Sequence, residues 1–111
     1  MEERLFQMKA DIFKAFAHPS RIKILEFLRN GEKCVCEFTS NLDLEQSNVS
    51  QHLAILKRQD LITSRKEGLK VIYSITYPEV LEMLEIVSKV IMLQAEGTVS
   101  LFDQMAKKDN L

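Results

Sequence analysis

Two groups of residues in this chain could do chemistry. The first is the pair Cys34 and Cys36, the only cysteines present, in the stretch "KCVCEF". Thiolates are soft donors and select soft ions such as arsenite, antimonite, Cd(II) or Pb(II) over Mg or Ca. Thiols also oxidise to disulfides, and neutral thiols pack as small hydrophobes. Three readings of the pair therefore stand side by side: metal or metalloid ligands, a redox site, or structural residues. On a helix, residues i and i+2 project about 200° apart, so both cannot face one core and at least one is expected at the surface. Gripping one ion would require the helix start around residues 33–35 to unwind. A bridge inside one such pair is expected to be strained, so oxidation should join cysteines of two subunits. Lys33 and the helix start are expected to lower the thiol pKa. Two protein sulfurs leave a position open for a free thiol, a water or a group from a second subunit.

The second group lies in "QSNVSQHLAILKRQDLITSRKEGLK", residues 46–70. Val49, Leu53 and Leu56 fall at i, i+4 and i+7, which makes one buried helix face. Ser47, Gln51, Ala54 and Arg58 then point the opposite way. Small and amide side chains on an exposed helix are what a major groove accepts. Ala54 allows close approach, Gln51 can pair with an adenine edge, and Ser47 and Ser50 can donate to phosphate. Asn48 and His52 complete the candidate set on this helix. Arg65, Lys66 and Lys70 follow on a hairpin, where they could reach the DNA backbone or the minor groove.

Charge distribution supports this more than total charge does. The chain carries a net charge of −1. Residues 46–70 hold five bases against Asp60 and Glu67, a local net charge of +3, which leaves −4 on the remainder. A basic patch on an acidic chain is the footprint a polyanion-binding surface leaves, although a solvated face of mixed charge has the same composition. His18, before Pro19, is expected to cap or pack a helix. His52 flanks the buried helix face and is expected to pack or to lie near a phosphate. Carboxylates show no pairing with His or Ser suited to acid–base or nucleophilic chemistry. Gly31, Gly68 and Gly97 are isolated and form no phosphate-cradling loop. No enzyme activity and no obligatory cofactor are expected.

The elements that must position these residues are mostly helical. The chain has 111 residues, the length of one domain, with only two prolines and three glycines to interrupt it. Apolar spacing predicts a helix over residues 2–17 and a second from Pro19 to a stop at Asn30-Gly31. A short third helix is expected over Cys34–Leu42 and a fourth over Gln46–Gln59. "LITSRKEGLKVIYSIT" predicts a β-hairpin, with Gly68 supplying the positive φ of its turn. Pro78 opens a long helix to about Ala95, with Gly97 expected to break or kink it before an amphipathic tail to about residue 106. Its apolar stripe, from Val80 to Leu93, is wider than a small domain needs and asks for a partner surface. The expected fold is mainly α with a β-hairpin wing, a dimeric winged helix-turn-helix spanning residues 1–111 as one domain. No run reaches the ~18 uncharged apolar residues of a membrane span, and "MEERLFQMKAD" lacks the apolar run of a signal peptide. Two close cysteines suit a reducing compartment. A cytoplasmic protein is expected.

These motifs resemble the ArsR–SmtB family of metal-responsive repressors. "AFAHPSRIKILEFL" is similar to the family's entry into its second helix. "QSNVSQHLAILKRQDLITSRKEGLKVIYSI" is similar to its recognition helix and wing, and "KCVCEF" to the metal box on its third helix. The likeness covers roughly Phe13 to Tyr77. It implies a homodimer built on the first and last helices. It also implies binding to an imperfect inverted repeat in double-stranded DNA, and release when an inducer binds Cys34 and Cys36. Two departures stand out. Thr39 occupies the position where arsenic-sensing members often carry a third cysteine, and residues 76–111 contain no His, which removes the zinc-type site of the last helix. A protein-interaction module on the same scaffold is the alternative, since fold alone does not fix function.

Overall fold

The computed structural model describes residues 2–109, with side chains as far as Lys107. The elements run α1 (Glu2–Phe16), α2 (Pro19–Phe27), a 3₁₀ turn (Leu28–Asn30), β1 (Lys33–Cys34), α3 (Val35–Asn41), α4 (Gln46–Arg58), β2 (Ile62–Glu67), β3 (Lys70–Ile75) and α5 (Pro78–Asp109). Two compact units result, Met1–Leu81 and Glu82–Leu111. The first contains every candidate residue named above. Among the described residues, no helix is long and apolar enough to cross a membrane.

Inside the first unit the core forms where helix periodicity and strand alternation converge. Val49, Leu53 and Leu56 of α4 are buried as their spacing predicts, against Ile24, Leu25, Phe38 and Ile62. Phe38 is sealed completely. Its ring meets Phe27 and Tyr73 edge-on, with centroids 5.6 and 6.3 Å away. One aromatic thus ties α2, α3 and β3 together; burying such a side chain contributes about 1.5–3 kcal/mol.

The sheet has three strands rather than two, in the order β1-β3-β2. β2 and β3 form the expected hairpin, in register from Ile62↔Ile75 to Glu67↔Lys70. Gly68 has φ +65 in its two-residue turn, as the tight reversal requires. The extra strand comes from the stretch read as the start of the third helix. Lys33 pairs with Tyr73 and Cys34 with Ile72, and α3 begins only at Val35. Cys34 is the N-cap, in extended conformation. Its backbone N–H donates to the Glu37 carboxylate, 2.7 Å away. That satisfies a donor the helix start would otherwise leave free.

A second correction concerns Gly97. α5 runs unbroken from Pro78 to Asp109. An isolated glycine costs a helix only about 1 kcal/mol relative to alanine. Strong helix formers precede it, and Thr98 turns its hydroxyl back to the Gln94 carbonyl at 2.9 Å.

α4 is anchored to the preceding helices through a polar junction. His18 is the N-cap of α2, its Nδ1 accepting from the Ser20 N–H at 3.1 Å, with Pro19 opening the helix. That capping role matches the expectation for His18. Arg21 donates from Nε to the Ala15 carbonyl at 2.6 Å and from Nη2 to the Lys14 carbonyl at 3.1 Å, which satisfies the open end of α1. Its Nη1 lies 3.3 Å from His52 Nδ1. A guanidinium only donates, so Nδ1 must accept and His52 is neutral there. The His18 and His52 rings are 4.4 Å apart.

Partial burial, with His18 and then Arg21 adding, holds the His52 pKa below its usual 6.5. A depressed pKa means the folded state resists protonation. The stability that neutral His52 contributes is complete above about pH 6.5 and is lost as pH falls through the folded value. Thermal unfolding between about pH 8 and pH 5.5 should show the midpoint falling with acidity. His52→Asn, which keeps an acceptor for Arg21 but cannot titrate, should flatten that fall. An equal fall in both proteins would contradict the role given to His52.

Candidate nucleic-acid interface

The candidate readers sit where the spacing placed them. Ser47, Asn48, Ser50, Gln51, Ala54 and Arg58 are all exposed on α4. No acidic residue occupies the first turn of α4, while Lys57 and Arg58 close the last. The first turn carries exposed hydroxyl and amide side chains, Ser47 and Asn48, after an N-cap Glu45 whose side chain makes no capping hydrogen bond; a helix start of this kind suits a phosphate oxygen once that carboxylate turns away. His52 is the exception. It is half-buried against His18 and Arg21, which leaves it supporting the helix rather than standing in the exposed row. Arg58 stands at the far end, in a shallow groove of about 290 Å³ shared with Asp11, Lys14 and Arg21.

The wing is tied to α4 at its base, where Lys57 Nζ donates to Ser64 Oγ at 2.7 Å. Its three bases are not equivalent. Arg65 is ion-paired with Glu32 and, at 3.0 Å, with Glu67. The hydrogen bond Arg65 donates to Glu32, then the Glu32 charge, and the hydrogen bond to and charge of Glu67, raise the already high Arg65 pKa. Lys66 and Lys70 are exposed, and among the described residues neither has an ion pair. Exposed ion pairs are weak and are screened by salt. Arg65 thus has carboxylates to exchange for phosphate, whereas the two lysines have none to give up.

The cysteine pair departs most from expectation. Cys34 and Cys36 are bonded to each other within one chain, with Cα atoms 5.5 Å apart, inside the usual disulfide range. Pairing between subunits is therefore not needed for oxidation. The physical reason is the chain path. Cys34 is the last residue of a strand and Cys36 lies in the first turn of a helix, so the 200° divergence of a continuous helix does not apply. For the same reason the two sulfurs converge without any unwinding of α3. Cys34 is buried and Cys36 exposed, as the expectation of one surface thiol requires. The Lys33 ammonium lies over the Phe27 ring, 5.1 Å from the centroid, and reaches the Gly31 carbonyl at 3.3 Å. Thr39 donates to the Cys36 carbonyl at 3.0 Å. Among the described residues no group of three or more His, Cys, Asp or Glu could hold a metal ion, so the chain supplies two soft donors at this place.

The pair borders a groove of about 370 Å³. Gln46 and Ser50 of α4 and Leu69, Lys70 and Val71 of the wing line it together with the cysteines. Sequence reasoning assigned Ser50, Lys70 and the cysteines separately and did not bring them together. It missed Gln46 and Leu69 altogether. The one local signal was Glu37, three residues after Cys34, which is the spacing of a capping box.

This architecture agrees with comparisons to known proteins. The model of the family described as "Bacterial regulatory protein, arsR family" matches residues 18–64. An HTH-type transcriptional regulator of Mycobacterium tuberculosis is 38% identical over 104 residues, covering 93% of this chain and 91% of that protein. The arsenical resistance operon repressor of Staphylococcus xylosus is 35% identical over 66 residues, 60% of this chain and 64% of the repressor. The solution structure of a homodimeric winged helix-turn-helix DNA-binding domain from Mycobacterium bovis superposes with a TM-score of 0.78 at 27% identity, over 86% of this chain and 89% of that one. With a helix-turn-helix followed by a basic wing and relatives that are regulators across nearly its whole length, the chain belongs to the ArsR family of DNA-binding transcriptional regulators.

Proposed function

We propose that the protein is a repressor that binds an inverted-repeat operator in cytoplasmic double-stranded DNA as a homodimer, and leaves it when a soft metal or metalloid ion bridges Cys34 and Cys36. The observation that carries the DNA half is the exposed row Ser47, Gln51, Ala54 and Arg58 beside the exposed lysines of the wing. Gln51 reads base edges in the major groove. Ser47, Asn48, Ser50 and Arg58 position the helix on phosphates, and Lys66 and Lys70, with Arg65 once it leaves its carboxylates, hold the adjacent backbone. A protein-interaction module has no need of such a row.

Apolar side chains left at the surface support the dimer. Leu5, Phe6, Met8 and Phe13 of α1 are each more than half exposed. Within the second unit, Ile86, Val87, Ile91, Met92, Leu93 and Phe102 are also more than half exposed. Apolar surface on this scale is partner surface, and a two-fold dimer matches a palindromic site.

The inducer half rests on two converging sulfurs, one open to solvent, next to helix α4. Metal binding and DNA binding must then weaken each other by the same factor. A second reading is favoured by the bond between Cys34 and Cys36 itself. Oxidation consumes both donors, so a redox response and a metal response are mutually exclusive states of one site.

Binding to the DNA upstream of the protein's own reading frame, followed by fluorescence anisotropy across salt concentrations, tests the DNA half. Each phosphate-contacting base should add about −0.9 to the log–log slope. Gln51→Ala should relax base preference, while Lys66→Ala should weaken all DNA alike and reduce the slope by about 1. Salt-insensitive binding, or identical behaviour of the two variants, would contradict it. For the inducer half, arsenite or Cd(II) added to the reduced protein should produce thiolate-to-metal absorption and release DNA. The Cys34→Ser/Cys36→Ser variant should do neither, and a wild-type response from it would refute the site. DNA affinity that changes on oxidation but not with metal would favour the redox reading.

A further inference from the structure

The groove beside the cysteines suggests what fills the third position on a trivalent metalloid, a step that rests on the metalloid-sensing reading above. Trivalent arsenic and antimony form three bonds to sulfur. The chain supplies two sulfurs here, and among the described residues no third His, Cys, Asp or Glu joins them. Thr39, the position a third cysteine would take, is a hydroxyl already bonded to the Cys36 carbonyl. The missing sulfur must come from outside the chain.

What the groove would hold can be read from its walls. It is about 370 Å³ in volume, which is in the range of small-molecule pockets. The two cysteines are part of its lining. Gln46 offers an amide, Ser50 a hydroxyl and Lys70 an ammonium, while Val35, Leu69 and Val71 supply apolar surface. Lys70 is exposed, with no ion pair among the described residues. One cation in a groove shared with two polar groups and an apolar patch suits an organic molecule bearing a carboxylate. A sulfur at the cysteines and a carboxylate at Lys70 together describe a small anionic thiol.

We infer that the pair takes As(III) or Sb(III) as a ternary adduct. Its third bond goes to the sulfur of a carboxylate-bearing thiol lying in the groove, with the carboxylate on Lys70. The chemistry balances without redox change at the metalloid. Three As–O bonds of arsenous acid and three S–H bonds break, three As–S bonds form, and three waters leave. When the protein begins with Cys34 bonded to Cys36, two further equivalents of the same thiol reduce it. The first thiolate attacks the exposed Cys36 sulfur and displaces Cys34 as a thiolate, which takes up a proton. A second thiolate attacks the sulfur of the bound thiol, releasing Cys36 and one small disulfide.

This arrangement also explains release. Ser50 and Lys70, both proposed to hold phosphate, line the same groove. An anionic ligand between them neutralises Lys70 and occupies the space a phosphate must enter. DNA is displaced by occupation of its own contact surface, without refolding of α3.

The test uses the reduced, full-length protein without DNA, titrated with arsenite alone or with one equivalent of glutathione, 2-mercaptoethanol or cysteamine. Native mass spectrometry should find one arsenic and one glutathione per chain. Arsenite affinity should be about tenfold higher with glutathione than with the uncharged or cationic thiol, a coupling of ordinary size. Lys70→Ala should remove that preference while keeping the thiolate-to-arsenic absorption of Cys34 and Cys36. Equal affinity with all three thiols, or a glutathione preference that survives Lys70→Ala, overturns the ternary adduct and leaves metalloid sensing standing. No arsenic bound under any condition overturns both.

Discussion

The functional surface depends on one constraint, the change of backbone direction at Cys34. This residue ends a strand and caps a helix at once. Its strand partner is Ile72 of the wing, and the helix it starts packs on α4 through Phe38 and its neighbours. The backbone N–H of Cys34 is held by Glu37 at 2.7 Å. Wing and recognition helix are thereby referenced to a single point. Whatever happens at the cysteines happens where α4 and the wing meet.

Electrostatics divides the work among the bases. A chain of net charge −1 gains nothing from long-range attraction to DNA as a whole, so the local patch has to act at short range, within a Debye length of about 8–10 Å. Lys66 and Lys70 are exposed and, among the described residues, have no ion pair. Arg65 is held by Glu32 and Glu67, and Glu32 lies just before β1. Exchange of these carboxylates for phosphate would alter contacts on the strand that carries Cys34, a second link between DNA and the cysteine site.

Much of this was legible in the sequence because it rests on periodicity. The buried face of α4, and hence its exposed face, follow from Val49, Leu53 and Leu56. The hairpin follows from β-branched runs around Glu67-Gly68, and the capping role of His18 from its place before Pro19. What could not be read depended on contacts distant along the chain. β1 is two residues long, too short to show alternation, and exists only because β3 pairs with it. Without that strand Cys34 reads as helical, which gives the wrong divergence for the thiols. The partners of Lys33, His52 and Arg65 were hidden for the same reason: Phe27, Arg21 and Glu32 lie 6 to 33 residues away. Gly97 was misjudged because a single glycine is only a modest penalty in a long helix.

The central claim is that the cysteine site opens onto the same surface that binds DNA. The most direct measurement is the rate at which iodoacetamide alkylates Cys36 in the reduced protein, free and bound to operator DNA. If duplex covers the groove between α4 and the wing, alkylation slows on binding, and the protection weakens as salt releases the DNA. An unchanged rate on fully bound DNA would place the thiols away from the interface and contradict the account.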